Sequence, residues 1–379
     1  MNYFCKKVCI LSTAHEVTDA RIFYKEAKLL AKAGYDVSIV IPHDKDEVLD
    51  GIKVFAINRA NNRFIRMSCV TINVFFRGLE QHAEIYHIHD PDLLFVTLIL
   101  KMLTGAKIIY DVHEDYPKSL LSREYMPKFI RSWFSVIFNW IEKNVARYYD
   151  CIFAATVSIA NNFKSKNVVL LPNFPDIDRF SAVAKETRDI LNINKNYTLI
   201  YCGGLTRIRG IREIISSLGF INSAYAVKLK LAGRFDDPKF EREIKSLEEW
   251  KMVDYLGYIS KEEVIKNFYE ADCGLVCLWP EPNHVSSLGD KLLEYMLVGL
   301  PVIASNFPLW KSIINDANCG ICVNPLCPEE IAKAIVYLIE HSAEAEKMGQ
   351  NGRKAVLEKY NWKKEYIKLL NVYKNLITS

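Results

Sequence analysis

Short apolar runs alternate along the chain with segments of helical period. The run at residues 7–12 is followed by a polar loop, by a stretch with apolar residues three or four apart that stops at Gly34, and by a second apolar run at residues 36–42. Continuous apolar runs are typical of strands buried on both faces, and a helix between two such strands makes them parallel. The pattern therefore predicts an α/β fold with parallel sheets, and the alternation resumes after Asn196.

The length of the chain fits two domains. Its 379 residues exceed what one ordinary hydrophobic core accommodates. The stretch from Pro172 to Asn196 turns polar, and Pro172 and Pro175 bracket the expected crossing between domains. We predict a first domain over residues 1–175, a second over residues 176–358 and a C-terminal helix at residues 359–379.

Residues 280–305 join a polar turn, a short helix and a buried strand. Ser287 and Asp290 form a capping-box pattern that predicts the start of the helix, and Gly299 predicts its end. Lys291 and Glu294 lie three residues apart and share one face of the first turns. They form either a solvated ion pair or part of a binding site.

The start of this helix is a candidate anion site. Free amides at a helix N-terminus carry partial positive charge and favour phosphate. Ser286, Ser287 and Gly289 supply the candidate amides for a diphosphate, and a carboxylate one turn further along suits sugar hydroxyls.

A second candidate phosphate site follows the strand YTLIYC at residues 197–202. Gly203, Gly204 and Gly210 do not have the spacing of a dinucleotide fingerprint, but glycines let backbone amides approach an anion closely. Arg207 and Arg209 either hold phosphate oxygens with paired N–H groups or remain solvated in the loop.

Polar side chains follow several predicted strands of the first half. Ligands of parallel sheets bind beyond the carboxyl ends of the strands, so we expect the loop that ends at Arg21 to face the cleft. A salt bridge at a helix start is the other interpretation of Arg21. The segment AEIYHIHDPDLL places His87 and His89 on one strand face, as a buried pair or as two metal ligands without an evident third. The candidate acceptor-binding residues are His15, Arg21, His89 and Asp90.

Residues 127–149 carry one strong apolar face at helical spacing. Its members are Ile130, Trp133, Phe134, Ile137, Phe138, Ile141 and Val145. Such a face normally packs against a core. The neighbouring Lys128, Arg131, Lys143 and Arg147 make contact with an anionic membrane the other possibility.

Composition excludes several classes of protein. A net charge of +4 is mild and gives no reason to expect nucleic-acid binding. The ten cysteines indicate reduced thiols, and Cys319 and Cys322 form a C-x-x-C without a second ligand pair, so we predict no metal site. The start resembles a strand more than a signal peptide, and the apolar runs are too short to span a bilayer. We expect a cytoplasmic protein, with peripheral contact at the inner face of the cytoplasmic membrane as a further possibility.

Three segments resemble the retaining glycosyltransferases of family 4: DKLLEYMLVGLPVIASNFPLW at residues 290–310, the turn at residues 203–210, and YDVHED around His113. The resemblance implies the GT-B fold, with an acceptor-side and a nucleotide-sugar-binding Rossmann-like domain facing each other across a cleft and a last helix that crosses back. In the Glu-x7-Glu motif of the family, Glu294 takes the place of the second Glu, which binds ribose hydroxyls. Ser286 takes the place of the first, which contacts the donor sugar.

The same resemblance implies roles for further residues. His113 matches the histidine delivered to the donor sugar, Tyr258 lies in the loop that contacts the nucleobase, and Arg209 matches a lysine of the phosphate turn, with Arg207 substituting for its arginine. The implied catalytic residues, which stabilise the leaving diphosphate without a metal or cofactor, are His113, Arg207, Arg209 and Lys291. The implied nucleotide-binding residues are Gly203, Gly204, Tyr258, Ser286, Ser287, Gly289 and Glu294.

The expected function is transfer of a hexose-type sugar, with retained configuration, from a nucleoside-diphosphate sugar to a hydroxyl of a glycan or lipid-linked acceptor in surface polysaccharide or glycolipid assembly. One alternative is a GT-B nucleotide-sugar epimerase. The other is a non-catalytic nucleotide-sugar-binding subunit, which Ser286 in place of the first motif Glu permits. The sequence does not define the base, the sugar or the acceptor.

Overall fold

The computed structural model describes residues 6–59, 62, 65–121, 127–164, 167–187 and 196–378. The described residues form two compact units. The first extends to Asn173 and also contains the residues from Lys363 onward, and the second is Phe174–Trp362. The change of unit falls between Pro172 and Pro175. Each unit is built on a sheet of mainly parallel strands, which confirms the predicted α/β class.

The sheet of the first unit has eight strands in the order β3-β4-β2-β1-β5-β6-β7-β8. Only the β3–β4 pair among them is antiparallel. The strands are β1 (Lys7–Leu11), β2 (Asp36–Pro42), β3 (Glu47–Leu49), β4 (Ile52–Ile57), β5 (Ile85–Ile88), β6 (Lys107–Val112), β7 (Cys151–Ala154) and β8 (Val168–Leu170).

Seven helices belong to this unit among the described residues. The first, α1, begins as a π-helix over Ala20–Ala27 and continues over Lys28–Lys32, and α2 likewise joins Arg66–Val70 to Thr71–Leu79. The others are α3 (Leu94–Thr104, after a 3-10 turn at Pro91–Leu93), α4 (Tyr116–Leu121), α5 (Lys128–Ala146), α6 (Val157–Ala160) and the C-terminal α16 (Trp362–Thr378).

The helices cover both faces of this sheet. Apolar residues of α2, α3 and α5 share one core with one face of the sheet. On the other face, His87 of β5 lies near Glu26 of α1 and hydrogen-bonds Tyr373 of α16. The Tyr366 hydroxyl also donates to the Leu29 carbonyl at 3.0 Å, so the C-terminal helix is part of the first unit.

The second unit has six parallel strands in the order β11-β10-β9-β12-β13-β14. The strands are β9 (Tyr197–Cys202), β10 (Val227–Ala232), β11 (Val253–Gly257), β12 (Cys273–Val276), β13 (Val302–Ser305) and β14 (Gly320–Val323). The helices are α7 (Ile177–Thr187), α8 (Ile211–Ser217), α9 (Pro238–Lys245), α10 (Lys261–Tyr269), α11 (Pro282–Ser286), α12 (Asp290–Val298), α13 (Pro308–Ala317), α14 (Pro328–Glu340) and α15 (Ser342–Glu358), with 3-10 turns at Arg207–Arg209, Leu218–Phe220 and Glu248–Met252. Two buried clusters lie in this unit.

The predicted capping box at Ser287 is wrong. Helix α12 begins at Asp290 with Gly289 as its N-cap, and the Ser287 hydroxyl donates to the His284 carbonyl at 3.1 Å. The preceding helix α11 uses Ser287 as its C-cap, so this residue ends one helix and does not start the next. The predicted end is confirmed, because Gly299 caps α12 with a φ of +87°.

Helix α5 does not bury the whole apolar face predicted for residues 127–149. Val145 is buried, and Phe138 and Ile141 pack against the core, but Trp133 and Phe134 are 70% and 52% exposed. The helix therefore presents apolar side chains to the core and to solvent. No helix in the described part of the chain is both long enough and apolar enough to cross a bilayer.

Candidate functional site

One arginine side chain packs against the glycine turn that follows β9. A Cβ built on Gly203 would lie 3.6 Å from Nη1 of Arg209, and one on Gly204 would lie 3.5 Å from its Nε. The Tyr201 hydroxyl donates to the Gly204 carbonyl at 3.1 Å, which fixes the turn from below. The guanidinium of Arg209 therefore lies directly against the backbone that is expected to approach a phosphate.

Arg207 does not share this position. Its guanidinium lies 4.9 Å from the centre of the Phe240 ring and forms an ion pair with Glu243 at 2.7 Å. Both partners belong to α9. The structure therefore pairs Arg207 with that helix, because a cation–π contact and a carboxylate hold it there, and it brings only Arg209 against the turn.

Lys291 and Glu294 form an ion pair with a third member. Glu294 accepts from Lys291 at 2.7 Å and from Lys261, the first residue of α10, at 2.5 Å. The Glu294 side chain is only 12% exposed, so this is not the solvated surface pair that spacing allows. Lys261 is not predictable from the sequence, because it lies 33 residues from Glu294 along the chain and no spacing pattern links the two.

The charges of this trio are fixed by their mutual contacts. Burial opposes ionisation of Glu294, but the two lysines outweigh it and lower the carboxyl pKa to about 2. Burial lowers the pKa of Lys261. Burial also acts to lower the pKa of Lys291, but there the Glu294 carboxylate outweighs it, and the pKa of Lys291 is raised. Glu294 therefore remains an ionised hydrogen-bond acceptor, which suits a ligand's hydroxyl groups.

The trio and Arg209 lie at the same end of β9. Burial raises the pKa of the Tyr201 hydroxyl, and the positive charges of Arg209 and Lys291 both oppose this increase, so both cations lie near that hydroxyl. The backbone amide of Cys202 donates to the Tyr295 hydroxyl at 3.2 Å, which ties the end of β9 to α12. Arg209, Lys261 and Lys291 thus supply three positive charges around the single negative charge of Glu294, an arrangement that favours an anion.

The amides predicted to bind a diphosphate have differing surroundings. The Ser287 amide donates to the His284 carbonyl at 3.2 Å, so it is engaged within the protein. Ser286 is the last residue of α11, and its hydroxyl donates to the Pro282 carbonyl at 3.0 Å. A Cβ on Gly289 would lie 2.8 Å from Cζ2 of Trp310, so the indole packs directly on this backbone. Of the predicted set, only Gly289 lies at the start of α12.

Tyr258 follows β11 and is 65% exposed. The guanidinium carbon of Arg234 lies 4.3 Å from the centre of its ring. The ring is therefore already stacked on one face by a cation and presents exposed aromatic surface.

In the first unit, His15, His113 and Asp90 lie together. The His15 ring centre is 5.9 Å from that of His113, and its Nε2 is 3.7 Å from an Asp90 carboxylate oxygen. Burial lowers the pKa of His15, but Asp19 and Asp90 outweigh it and raise that pKa to about 9. Asp90 accepts from the Ser12 hydroxyl and the Thr13 amide, each at 2.7 Å.

Three residues of the predicted acceptor set are buried: Arg21, His89 and Asp90, of which Asp90 is 5% exposed. Arg21 is 4% exposed and donates from Nε and Nη2 to Asp111 at 2.9 and 3.0 Å. His89 is fully buried, and its Nδ1 lies 2.7 Å from Nε2 of His113. Arg21 on α1 and His89, which follows β5, are held in the interior by these contacts, so a direct contact of either side chain with an acceptor does not fit this conformation. His15, whose side chain is 30% exposed, is the one member of this set that lies partly open to solvent.

Glu26, His87, His89 and Asp111 bring potential metal-ligand atoms within 4.8 Å of one another. The two histidines share a strand face in the sequence pattern, whereas the two carboxylates come from α1 and β6 and carry no such signal. The nine cysteines in the described part of the chain are free thiols.

Comparison with known proteins places this geometry in a family. The family model described as Glycosyltransferase Family 4 matches residues 20–179, and the model described as Glycosyl transferases group 1 matches residues 183–355. An uncharacterized glycosyltransferase of Methanocaldococcus jannaschii, MJ1607, is 28% identical over 92% of this chain and 92% of its own length. The phosphatidyl-myo-inositol mannosyltransferase of Mycobacterium leprae is 22% identical over 78% of this chain and 74% of its own length.

A solved structure matches the whole fold. The Anabaena protein HepE, crystallised in complex with UDP-glucose, superposes with a TM-score of 0.73 at 16% identity, covering 98% of this chain and 100% of that one. The fold is therefore of the GT-B type. Because the two family models together span nearly all of both units, the chain belongs to the family 4 glycosyltransferases.

Proposed function

We propose that this glycosyltransferase moves a hexose-type sugar from a nucleoside-diphosphate sugar to an acceptor hydroxyl, with retained anomeric configuration. The observation that carries the proposal is the group of cations at the end of β9, where Arg209 lies against the glycine turn and Lys261 and Lys291 flank Glu294. A nucleoside diphosphate offers such a site both a pyrophosphate and ribose hydroxyls. The UDP-glucose bound by HepE has this chemistry.

The chemistry assigned to the site is stabilisation of the leaving group. Departure of the diphosphate builds negative charge on its β-phosphate, and fixed cations that face this charge lower the barrier. Arg209 and Lys291 take this role, while Glu294 accepts from the ribose hydroxyls. We assign Tyr258 to the nucleobase, because its ring is exposed and an exposed ring can stack on a base.

The acceptor side is assigned to the first unit. His15 and Asp90 supply a cation and a carboxylate near the ring of His113, which the resemblance to the family directs at the donor sugar. The Mycobacterium leprae relative is named for a phosphatidyl-inositol acceptor, and a glycan or lipid-linked acceptor is our proposal here. Neither the epimerase nor the non-catalytic subunit is retained, because the matching families and relatives are transferases.

A donor screen tests this function. The purified protein is incubated with uridine-, guanosine- and adenosine-diphosphate sugars, and release of the nucleoside diphosphate is measured with and without glycan or lipid-linked acceptors. We expect one donor to be hydrolysed or transferred, and Arg209→Ala to slow its release. Conversion of the donor to a different nucleotide sugar without release would contradict the proposal. The anomeric configuration of the product, read by nuclear magnetic resonance, tests retention.

We also propose that the reaction needs no divalent metal, because the cations around Glu294 can neutralise the leaving group themselves. We expect the rate to be unchanged by a chelator. Loss of activity in the chelator with recovery on adding magnesium would contradict this part of the proposal.

We propose further that the enzyme works in the cytoplasm against the inner face of the membrane, through an apolar surface on α3 and α5. Four residues of α5 repeat at helical spacing on its exposed side, and four more lie on the adjacent α3. This apolar surface consists of Phe129, Trp133, Val136, Trp140, Phe95, Ile99, Met102 and Leu103, each at least half exposed. Eight large apolar side chains exposed on two helices that contact each other are unusual on a protein that meets only water.

The charges beside the apolar surface favour a lipid bilayer as its partner. Three basic residues lie on α5 or directly after it: Arg131, Lys143 and Arg147. The acidic Glu142 of the same helix is buried, so its carboxyl group is not part of the surface. Aromatic side chains flanked by basic residues match the interface of an anionic membrane. A lipid-linked acceptor would be presented at that interface.

A further inference from the structure

Five buried polar residues lie between α1, β5 and β6 of the first unit. They are Arg21, Glu26, His87, His89 and Asp111, each at most 4% exposed, and we call them the Glu26 cluster. The Arg21–Asp111 pair joined by two hydrogen bonds is electrically neutral. A second buried carboxylate would leave one uncompensated negative charge, which a protein interior disfavours strongly.

A metal ion is a poor candidate to balance that charge. Arg21 Nε lies 3.0 Å from Glu26 Oε1 and Arg21 Nη2 lies 2.8 Å from Asp111 Oδ2, so two of the four potential ligand groups already contact a cation. The His87 and His89 rings stack with centres 4.6 Å apart and planes 28° apart. A metal ion lies near the plane of each imidazole that binds it, and stacked rings do not share such a position.

A proton on Glu26 balances the charge and satisfies two atoms at once. Glu26 Oε2 and His89 Nε2 are 3.2 Å apart, and within the described residues neither atom has a hydrogen-bond partner. When Glu26 is ionised both atoms can be acceptors, whereas a protonated Glu26 can donate to His89. Burial and the Asp111 carboxylate raise the pKa of Glu26 to about 8, which agrees with a neutral acid at pH 7.

The remaining contacts continue this chain of hydrogen bonds to the surface. If His89 Nε2 accepts from Glu26, its Nδ1 carries a hydrogen and donates to Nε2 of His113 at 2.7 Å. His113 then carries its hydrogen on Nδ1, which faces Asp111 Oδ1 at 3.6 Å. The His113 side chain is 17% exposed, so one end of the chain is buried and the other meets solvent.

Other groups around Glu26 do not change the direction of the hydrogen bonds, which run from Glu26 through His89 to His113. Tyr373 lies 2.8 Å from His87 Nδ1 and can donate to it, which leaves the His87 Nε2 hydrogen facing Asp111 at 3.7 Å. Asp111 is the competing acceptor for the Glu26 proton, but both of its oxygens already accept from Arg21. The positive charge of His15 near His113 opposes a second proton on His113.

We propose that Glu26 and His89 are positioning residues for His113: the neutral Glu26 acid donates to His89, and His89 in turn holds the His113 imidazole in the tautomer with hydrogen on Nδ1. The importance of that tautomer for sugar transfer rests on the proposed function, whereas the hydrogen-bond chain itself does not.

Loss of the Glu26 proton should reverse the chain. The ionised Glu26 becomes an acceptor, so a hydrogen on His89 Nε2 faces it, and His89 Nδ1 becomes an acceptor for a hydrogen on His113 Nε2. One proton leaves to solvent and each histidine remains neutral, while its single hydrogen changes nitrogen. Ionisation of one buried carboxyl group therefore changes the tautomer of a solvent-facing histidine.

Ring nitrogen spectra of the full-length protein labelled with ¹⁵N-histidine test the proposal. In the wild type, we expect His89 and His113 to carry hydrogen on Nδ1 at pH 6.5 and both to change to Nε2 in one transition centred near pH 8. In Glu26→Gln, the amide group donates to His89 at every pH, so we expect both histidines to keep the low-pH tautomer up to pH 10. The two pH values that bound the titration are roughly 1.5–2 units from the transition, which suffices for full conversion.

Glu142→Gln is the matched control. Glu142 is also a buried carboxyl group, it accepts from the Tyr110 hydroxyl at 2.7 Å, and burial raises its pKa to about 7. We expect Glu142→Gln to leave the coupled transition in place. The proposal is overturned if the wild-type histidines keep one tautomer across the range, if they change independently, or if added Zn²⁺ binds stoichiometrically and shifts both. Since no substrate is needed, this result is separate from the outcome of the donor screen.

Discussion

At the scale of single residues, Glu294 is the residue on which the proposed nucleotide site depends most. Its carboxylate is held by Lys261 and Lys291 and is nearly buried, so it is oriented and ionised before any ligand arrives. A charged acceptor of this kind contributes about 1.5–3 kcal/mol per hydrogen bond to a ligand.

We expect Glu294→Ala to weaken binding of the nucleoside diphosphate about 10- to 100-fold, because the ribose loses its acceptor. Isothermal titration calorimetry with the nucleotide of the preferred donor measures this. Glu270→Ala is the matched control, since Glu270 also pairs with a lysine, Lys230, but lies outside the site. Equal affinity of the wild type and Glu294→Ala would remove Glu294 from the site.

The same residue gives the protein a pH-dependent stability. The pKa of Glu294 is about 2 in the folded protein, below its ordinary value of 4.5, so the folded state binds this proton less readily than the unfolded state. The stabilisation is therefore complete above pH 4.5 and is lost as the pH falls toward 2. It amounts to at most about 3 kcal/mol.

We expect Glu294→Gln to lower the free energy of unfolding at pH 6 by an amount that shrinks as the pH is lowered toward 3. Urea unfolding at a series of pH values measures the difference between the two proteins. A difference that is constant with pH would show that the carboxyl group is not stabilised by its lysines.

Residue patterns in the sequence located part of this site. The spacing of Lys291 and Glu294 predicted that they share a face, and the glycine turn indicated Arg209. Lys261 and Glu26 could not be predicted, because each contacts its partners only through the tertiary fold. For Arg21 the sequence left an acceptor contact and a salt bridge open, and it could not identify the buried partner, because Asp111 lies 90 residues away in the sequence.

At the scale of secondary-structure elements, the turn between β9 and α8 depends on Gly210. Its φ is +70°, and an added Cβ would lie 1.9 Å from the Cys277 carbonyl oxygen. The backbone of this glycine therefore packs directly against the end of β12, and the preceding 3-10 turn carries Arg209.

We expect Gly210→Ala to lower the free energy of unfolding by several kcal/mol and to weaken nucleotide binding, because the turn must move to relieve the clash. Gly257→Ala is the control, with a similar φ of +67° and no atom within 4 Å of the added Cβ. It should cost only about 1–2 kcal/mol for the left-handed conformation. Similar losses in the two variants, measured by chemical unfolding, would contradict the packing argument.

Helix α5 is the second element with a direct test. We expect Trp133→Ser combined with Trp140→Ser to reduce sedimentation with phosphatidylglycerol vesicles at least tenfold, because the two indoles are 70% and 67% exposed on the apolar surface. Phe220→Ser, which removes an exposed aromatic side chain from the second unit, is the control.

Two results would contradict the membrane assignment. One is equal binding of the double variant and the wild type to these vesicles. The other is a wild-type dimer, measured by light scattering, that the double variant converts to monomers, since the apolar surface would then bind a second copy of the chain.

Elements were predicted from periodicity more reliably than their ends and exposed faces. Helix α12 ends at the predicted glycine, but it starts later than the predicted cap at Ser287. Tertiary contacts explain the difference, since Trp310 donates to the Ser287 carbonyl at 2.9 Å and packs on Gly289. For α5, helical period alone does not distinguish a core face from a solvent face when both sides carry aromatic residues.

At the scale of the whole molecule, the chain returns to its first unit after completing the second. Helix α16 places Tyr373, fully buried, against His87 on the face of the sheet that also holds the Glu26 cluster. The α/β class followed from the alternation of apolar runs and helical segments, whereas the division into two units followed from the chain length and the polar stretch after Pro172. The destination of the last helix came from the family resemblance, because an amphipathic pattern does not specify which surface a helix covers.

We expect Tyr373→Phe to lower the free energy of unfolding by about 1–3 kcal/mol, because it removes the hydroxyl partner of a buried imidazole nitrogen without changing ring packing. Tyr148→Phe, at an exposed tyrosine of the same unit, is the control and should cost almost nothing. Unchanged stability of Tyr373→Phe would argue against this hydrogen bond.

We propose above all that the second unit binds an activated sugar through its nucleoside diphosphate. The decisive measurement is a crystal structure of the protein with uridine or guanosine diphosphate. We predict that the pyrophosphate lies against Arg209 and Lys291 and that a ribose hydroxyl donates to Glu294. A nucleotide bound with its phosphates elsewhere, or with Glu294 still paired only to its two lysines and distant from the ribose, would contradict this binding mode.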